Sequence, residues 1–82
     1  MPNNDRANSY TDAVLAQLNA EIAAQPTTVK ALAGAMGIDY NTFRRYCIGE
    51  RDMPMPVLWD AIAALGMDEL TFIARAKERA AL

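Results

Sequence analysis

An all-α bundle of about five short helices is the architecture this sequence predicts, and three observations predict it. Apolar residues recur at spacings of three and four, no segment alternates as a half-buried strand does, and Gly or Pro interrupts the chain at short distances. With 82 residues, 52% of them hydrophobic and 22% charged, the composition is that of one small compact domain. We expect a flexible polar N-terminal segment over residues 1–8 and a single domain over 9–82.

The first helix is expected to open at Ser9, where Ser9 and Asp12 form a pair resembling a capping box. Tyr10, Val14, Leu18 and Ile22 then recur every fourth residue, with Leu15 one position off that line, and Pro26 stops the helix. Thr27 or Thr28 caps the second helix, in which Val29, Leu32, Ala33 and Met36 follow the i, i+3, i+4, i+7 rule. Gly37 ends it by supplying a left-handed turn at little cost. Asp39 caps the third helix, which carries Phe43, Tyr46 and Cys47 inward and ends at Gly49.

The run Met53-Pro54-Met55-Pro56 is unsuited to a helix interior, because each Pro lacks an N–H and restricts the residue before it. The fourth helix is therefore expected from about Val57 to Leu65, burying Leu58, Ala61, Ile62 and Leu65, with Gly66 closing it. Asp68 caps the fifth, whose inner face is expected to carry Leu70, Ile73 and Ala74. Lys77 and Arg79 near its end suit the helix dipole.

Composition also excludes chemistry. The absence of His removes the usual neutral-pH base and the commonest zinc ligand. Cys47 is the only Cys, so there is neither an internal disulfide nor a thiolate cluster, and its inward position reads as a small buried hydrophobe. Ser9 is the only Ser and has no base to activate it. No enzyme, metal site or cofactor is expected. No apolar run approaches the roughly 20 residues that cross a bilayer, and the N-terminus with Asp5 and Arg6 is unlike a secretory signal, so a cytoplasmic protein is expected.

Charge is distributed unevenly. The net charge is −2, yet residues 26–51 hold Lys30, Arg44, Arg45 and Arg51 against only Asp39 and Glu50, while the flanks on either side are acidic. The same positive stretch contains the tightest corner of the chain. Only Gly37, Ile38 and Asp39 separate the second and third helices, and a short turn built on Gly sets two short helices at a steep angle. Ala33 is small where the helices approach, and Leu32, Met36, Ile38, Phe43 and Tyr46 supply apolar contacts that fix the angle.

Leu32-Ala33, Gly37-Ile38-Asp39, Thr42-Phe43-Arg44-Arg45 and Gly49-Glu50-Arg51 with Pro54 together resemble the helix-turn-helix of the lambda-repressor-like family, the Cro and xenobiotic-response-element type. Residues 27–54 carry the resemblance without a gap, and Leu58 to Gly66 looks like that family's fourth helix with looser spacing. The resemblance implies that the third helix enters the major groove of double-stranded DNA and that its N-terminal half reads bases. Mapped onto this chain, the base-reading positions are Tyr40, Asn41 and Arg44. Asn pairs two ways with adenine and Arg two ways with guanine. Thr28, Lys30, Thr42, Arg45 and Arg51 are the phosphate-contacting positions. Tyr40 also lies three residues before Phe43, which suits the core as well as it suits DNA.

The chain departs from the family pattern at three places. Tyr40 and Val29 stand where Gln is common, and Glu50 stands where a basic residue is frequent. The function implied is that of a small bacterial or phage transcriptional regulator of repressor type, working in the cytoplasm as a homodimer on two half-sites. The dimer surface implied is the fifth helix with the Pro-rich approach to the fourth. A protein-interaction module on the same scaffold is the alternative: an antitoxin, an anti-repressor or a polymerase-binding adaptor. The acidic flanks, Val29, Glu50 and Trp59 beside Met55 favour it, with Trp59 and the fifth helix as the contact surface.

Overall fold

Local chemistry closes most of the helix ends. In the computed structural model, which describes the backbone of residues 4–80 and the side chains of residues 11–80, α1 spans Asn4–Ala24, α2 Val29–Met36, α3 Tyr40–Cys47, α4 Met55–Ala64 and α5 Glu69–Ala80. There is no strand among the described residues. Thr28 caps α2 through its hydroxyl, which accepts from the Ala31 N–H at 3.0 Å. The Asp39 and Asp68 carboxylates cap α3 and α5 in the same way, accepting from the Thr42 and Thr71 N–H groups at 3.1 and 3.0 Å.

The C-terminal ends of α2, α3 and α4 share one device. Gly37 has a φ of 71°, its N–H donates to the Gly34 carbonyl, and the Ile38 N–H reaches back to Ala33 at 3.0 Å. The same pair of bonds forms at Gly49, where Gly49 donates to Tyr46 and Glu50 to Arg45. A Cβ at Gly37 would meet nothing within 4 Å, so the demand for glycine there is one of backbone angle and not of space.

Two helix starts differ from the sequence expectation. α1 begins at Asn4, so Ser9 lies within the helix and the Ser9–Asp12 pair is not its cap. Residues 4–8 of the segment expected as a flexible tail are described as helix, residues 1–3 lie outside the described residues, and so does the Tyr10 side chain of the expected stripe. α4 begins at Met55, with Pro54 as N-cap and Pro56 inside the first turn. A first turn has no intrahelical partner for its N–H groups, so the missing donor of Pro56 costs nothing there.

The core draws on every helix. Its four largest fully buried side chains are Leu18 of α1, Phe43 of α3, Ile62 of α4 and Phe72 of α5. Leu32 and Ala33 of α2 join them, along with Ile22, Cys47, Leu58, Ala61 and Leu65. α1 lies along α5, α2 packs on both α3 and α4, and α4 packs on α5. The radius of gyration is 12.5 Å, close to the ~12 Å of a compact chain this long.

The inner face of α5 is a correction. Phe72 and Ala76 are buried and Ile73 is half-buried, whereas Leu70 is 78% exposed and Ala74 is exposed. The apolar residues of α5 fit two helical frames one to two residues apart, and the frame holding the larger ring is the one that packs.

α1 also buries two polar residues, Gln17 and Glu21, on the face that meets α5. The Glu21 carboxylate accepts from Arg75 at 2.7 Å and from the Gln17 amide, and Arg79 donates to the Gln17 carbonyl oxygen at 2.6 Å. The pair is half open to water on the arginine side, so its worth is that of a charged hydrogen bond and not of a dry ion pair. Glu21→Gln keeps the shape and removes the charge. A loss of about 1 kcal/mol in urea unfolding is expected, with the gap between variant and wild type narrowing as salt is added. A variant as stable as wild type at low salt would show that this network contributes nothing.

Candidate nucleic-acid interface

The orientation of α3 is fixed from both ends. Asp39 closes its start, and Asn19 of α1 donates to the Cys47 carbonyl at 3.1 Å at its finish, while also bonding its own Leu15 carbonyl at 2.9 Å. Phe43 and Cys47 face inward and Tyr46 is half-buried. An eight-residue helix anchored on that side must turn Asn41, Arg44 and Arg45 outward, and all three are exposed, as is Ile48 just past the last turn.

The eight residues expected at the site are all on the α2–α3 half of the molecule or the segment after it. Tyr40, which suited core or contact equally, is 40% exposed and so lies on the outer side. Lys30, Arg44, Arg45 and Arg51 are exposed, and no ion pair among the described residues engages any of them. Arg51 sits over the Tyr46 ring, 5.9 Å from its centroid, which links the segment after α3 to the helix. Among the described residues these four cations have no carboxylate within ion-pair distance, so their guanidinium and ammonium groups stand open to solvent.

Thr28 and Thr42 are less free than the cations. The Thr28 hydroxyl is held as the α2 cap, although its hydrogen remains available. Thr42 is half-buried, and its hydroxyl points back to Asp39 at 3.4 Å. Asp39, Glu50 and Asp52 are the exposed acids of this half. Asp39 is committed to its cap, Glu50 follows the left-handed Gly49 with its N–H on the Arg45 carbonyl at 2.9 Å, and Asp52 adjoins Arg51, so acids and cations share this surface.

These residues form an outward surface and not a concave pocket. A cleft of about 580 Å³ opens between α1 and the segment leading to α4, lined by Val14, Leu15, Met53 and Leu58 with Asp12 and Arg51. Of the eight, only Arg51 touches it. Cys47 lies beneath α3, and burial pushes its thiol up to about 11, so it stays protonated and apolar. No grouping of His, Cys, Asp and Glu able to hold a metal ion occurs among the described residues, and none of their helices is long and apolar enough to cross a membrane.

Other exposed apolar residues lie elsewhere. Met55 and Trp59 are 57% and 40% exposed and share one face of α4 at a spacing of four. Ile48 was absent from the site expected on sequence. Its signal was present, since it stands seven residues after Asn41, two helical turns along the same side. No protein-family model matches this chain, and neither a curated protein nor a solved structure matches it.

Proposed function

We propose that this chain binds double-stranded DNA in a sequence-specific way, with α2, the three-residue turn and α3 working as a helix-turn-helix and α3 entering the major groove. The observation that carries the proposal is the outer face of α3. Asn41 and Arg44 project from a helix capped at its start and tied to α1 at its finish, and the four exposed cations Lys30, Arg44, Arg45 and Arg51 form no ion pair among the described residues. Side chains that read base edges need rigid placement, and phosphates need unpaired cations. Lys30, Arg45 and Arg51, with Thr28 at the α2 start, are assigned to phosphate, while Thr42 is left mainly to Asp39.

The role that fits is a small bacterial or phage transcriptional regulator, repressor-like, acting in the cytoplasm by binding and not by catalysis. So small a domain covers few base pairs, and a homodimer on half-sites one helical turn apart is the expected assembly. α5 and the Pro54–Pro56 approach to α4 are assigned to its interface. The test is enrichment of a random duplex pool on the purified chain at near-physiological salt, followed by sequencing. A consensus with two related half-sites is the expected result. Weak retention of all sequences alike would remove the proposal.

A second reading has its own observation. Trp59 and Met55 are exposed together on α4, a helix that carries no cation, and aromatic anchors of that kind are common at protein interfaces. A protein-interaction module using this face and α5 would give partner capture that Trp59→Ala abolishes, with no enriched duplex.

A further inference from the structure

We propose that Ile48 is a base-reading residue, packing its side chain against the 5-methyl group of a thymine about three base pairs from the pair met by Asn41. The inference rests on the DNA-binding role above and adds a specificity determinant to it.

Asn41, Arg44, Arg45 and Ile48 stand at i, i+3, i+4 and i+7, the repeat that places four residues on one side of a helix. On α3 that side faces outward; Ile48, the capping residue just past it, keeps the helical bond from its N–H to the Arg44 carbonyl at 3.0 Å, and all four are exposed. Three of them are polar or charged, as a solvated face requires. Ile48 is aliphatic and 55% exposed, with Arg44 and Arg45 just behind it. At about 100° per residue, Asn41 and Ile48 differ by only about 20° around the axis. They are about 10.5 Å apart along it, which for a helix lying along the groove spans roughly three base-pair steps of about 3.4 Å.

The chemistry of the groove supplies the match. Its floor offers hydrogen-bonding edges at every base pair and one exposed apolar group, the thymine methyl. Its walls are anionic strands. An aliphatic residue one helical turn after two exposed arginines is complementary to a methyl between two lines of phosphate. The other exposed apolar residues lack that setting: Met55 and Trp59 lie on a helix without a cation, and Leu70 starts a helix whose first turn is acidic.

Replacing thymine by deoxyuridine removes the methyl and leaves base pairing intact. Each thymine of an enriched duplex is replaced in turn, and binding is measured for the full wild-type chain and for Ile48→Ala. Because Ile48 is largely exposed, the variant is expected to melt with wild type, which a thermal scan checks. One thymine per half-site is expected at which wild type loses about fourfold in affinity, the worth of one buried methyl at about 0.8 kcal/mol. Ile48→Ala is expected to bind the thymine and uracil forms of that position alike. Wild type indifferent to the replacement at every thymine, or Ile48→Ala retaining the full fourfold loss, overturns the assignment while leaving DNA binding intact. A pool that yields no enriched duplex overturns both, and leaves the Ile48 face to a protein partner.

Discussion

Phe72→Ala is expected to bring this protein close to unfolding, and Leu70→Ala, two residues away on the same helix, to leave it almost unchanged. Phe72 is fully buried and shares the core with Leu18, Phe43 and Ile62, each from a different helix. Removing the ring takes apolar contacts from the centre and leaves a cavity that the packed helices around it cannot easily collapse. Phe→Ala changes of this kind cost about 3–5 kcal/mol. A chain of this length holds roughly 4–12 kcal/mol in all, so most of the margin goes with one residue. Leu70, 78% exposed, lies in the class of surface changes within about 0.5 kcal/mol. Urea unfolding followed by circular dichroism separates the two. Equal losses, or a larger loss at Leu70, would mean that α5 packs in the other frame.

That pair also shows where the sequence was legible and where it was not. Thr28, Asp39, Gly37 and Gly49 mark helix ends through bonds within a few residues, so residue type and spacing sufficed to find them. The frame of α5 depends on how that helix lies on α1, a tertiary fact. Leu70, Ile73 and Ala74 make as good a helical stripe as Phe72, Ile73 and Ala76 until the partner surface is known. The buried Gln17 and Glu21 were hidden for the same reason, since their partners Arg75 and Arg79 lie more than 50 residues away along the chain. The start of α1 was missed for a different one. Asn4 to Asn8 carry no apolar period, but extending a helix already formed adds one bond per residue fixed and needs no new nucleus. At the site, the i, i+3, i+4 spacing of Phe43, Tyr46 and Cys47 already marked the inner face, and their burial leaves Asn41 and Arg44 on the outer one.

If α3 reads DNA, Arg44→Ala and Arg45→Ala should fail in different ways. The two guanidinium groups flank the line from Asn41 to Ile48, one on each side, about 100° apart around the helix. A helix lying in the groove cannot aim both at the same target. Arg44, with Tyr40 one turn before it, is assigned to the base edges and Arg45 to the phosphate strand. Loss of a two-pronged contact to guanine costs about 1–3 kcal/mol on the preferred site and relaxes the choice of base at one position. Loss of one phosphate contact weakens every sequence alike and lowers the slope of log affinity against log salt by about 0.9. Both residues are exposed and form no ion pair among the described residues, so neither substitution should alter folding, and a change in binding reports the contact itself. Binding of each variant to the enriched duplex, to single-base variants of it and to an unrelated duplex, over a range of salt, distinguishes the outcomes. The reverse pattern would exchange the two roles and rotate α3 in the groove by about a quarter turn. Equal, sequence-independent losses from both would leave the two arginines as electrostatic anchors, with base choice resting on Tyr40, Asn41 and Ile48.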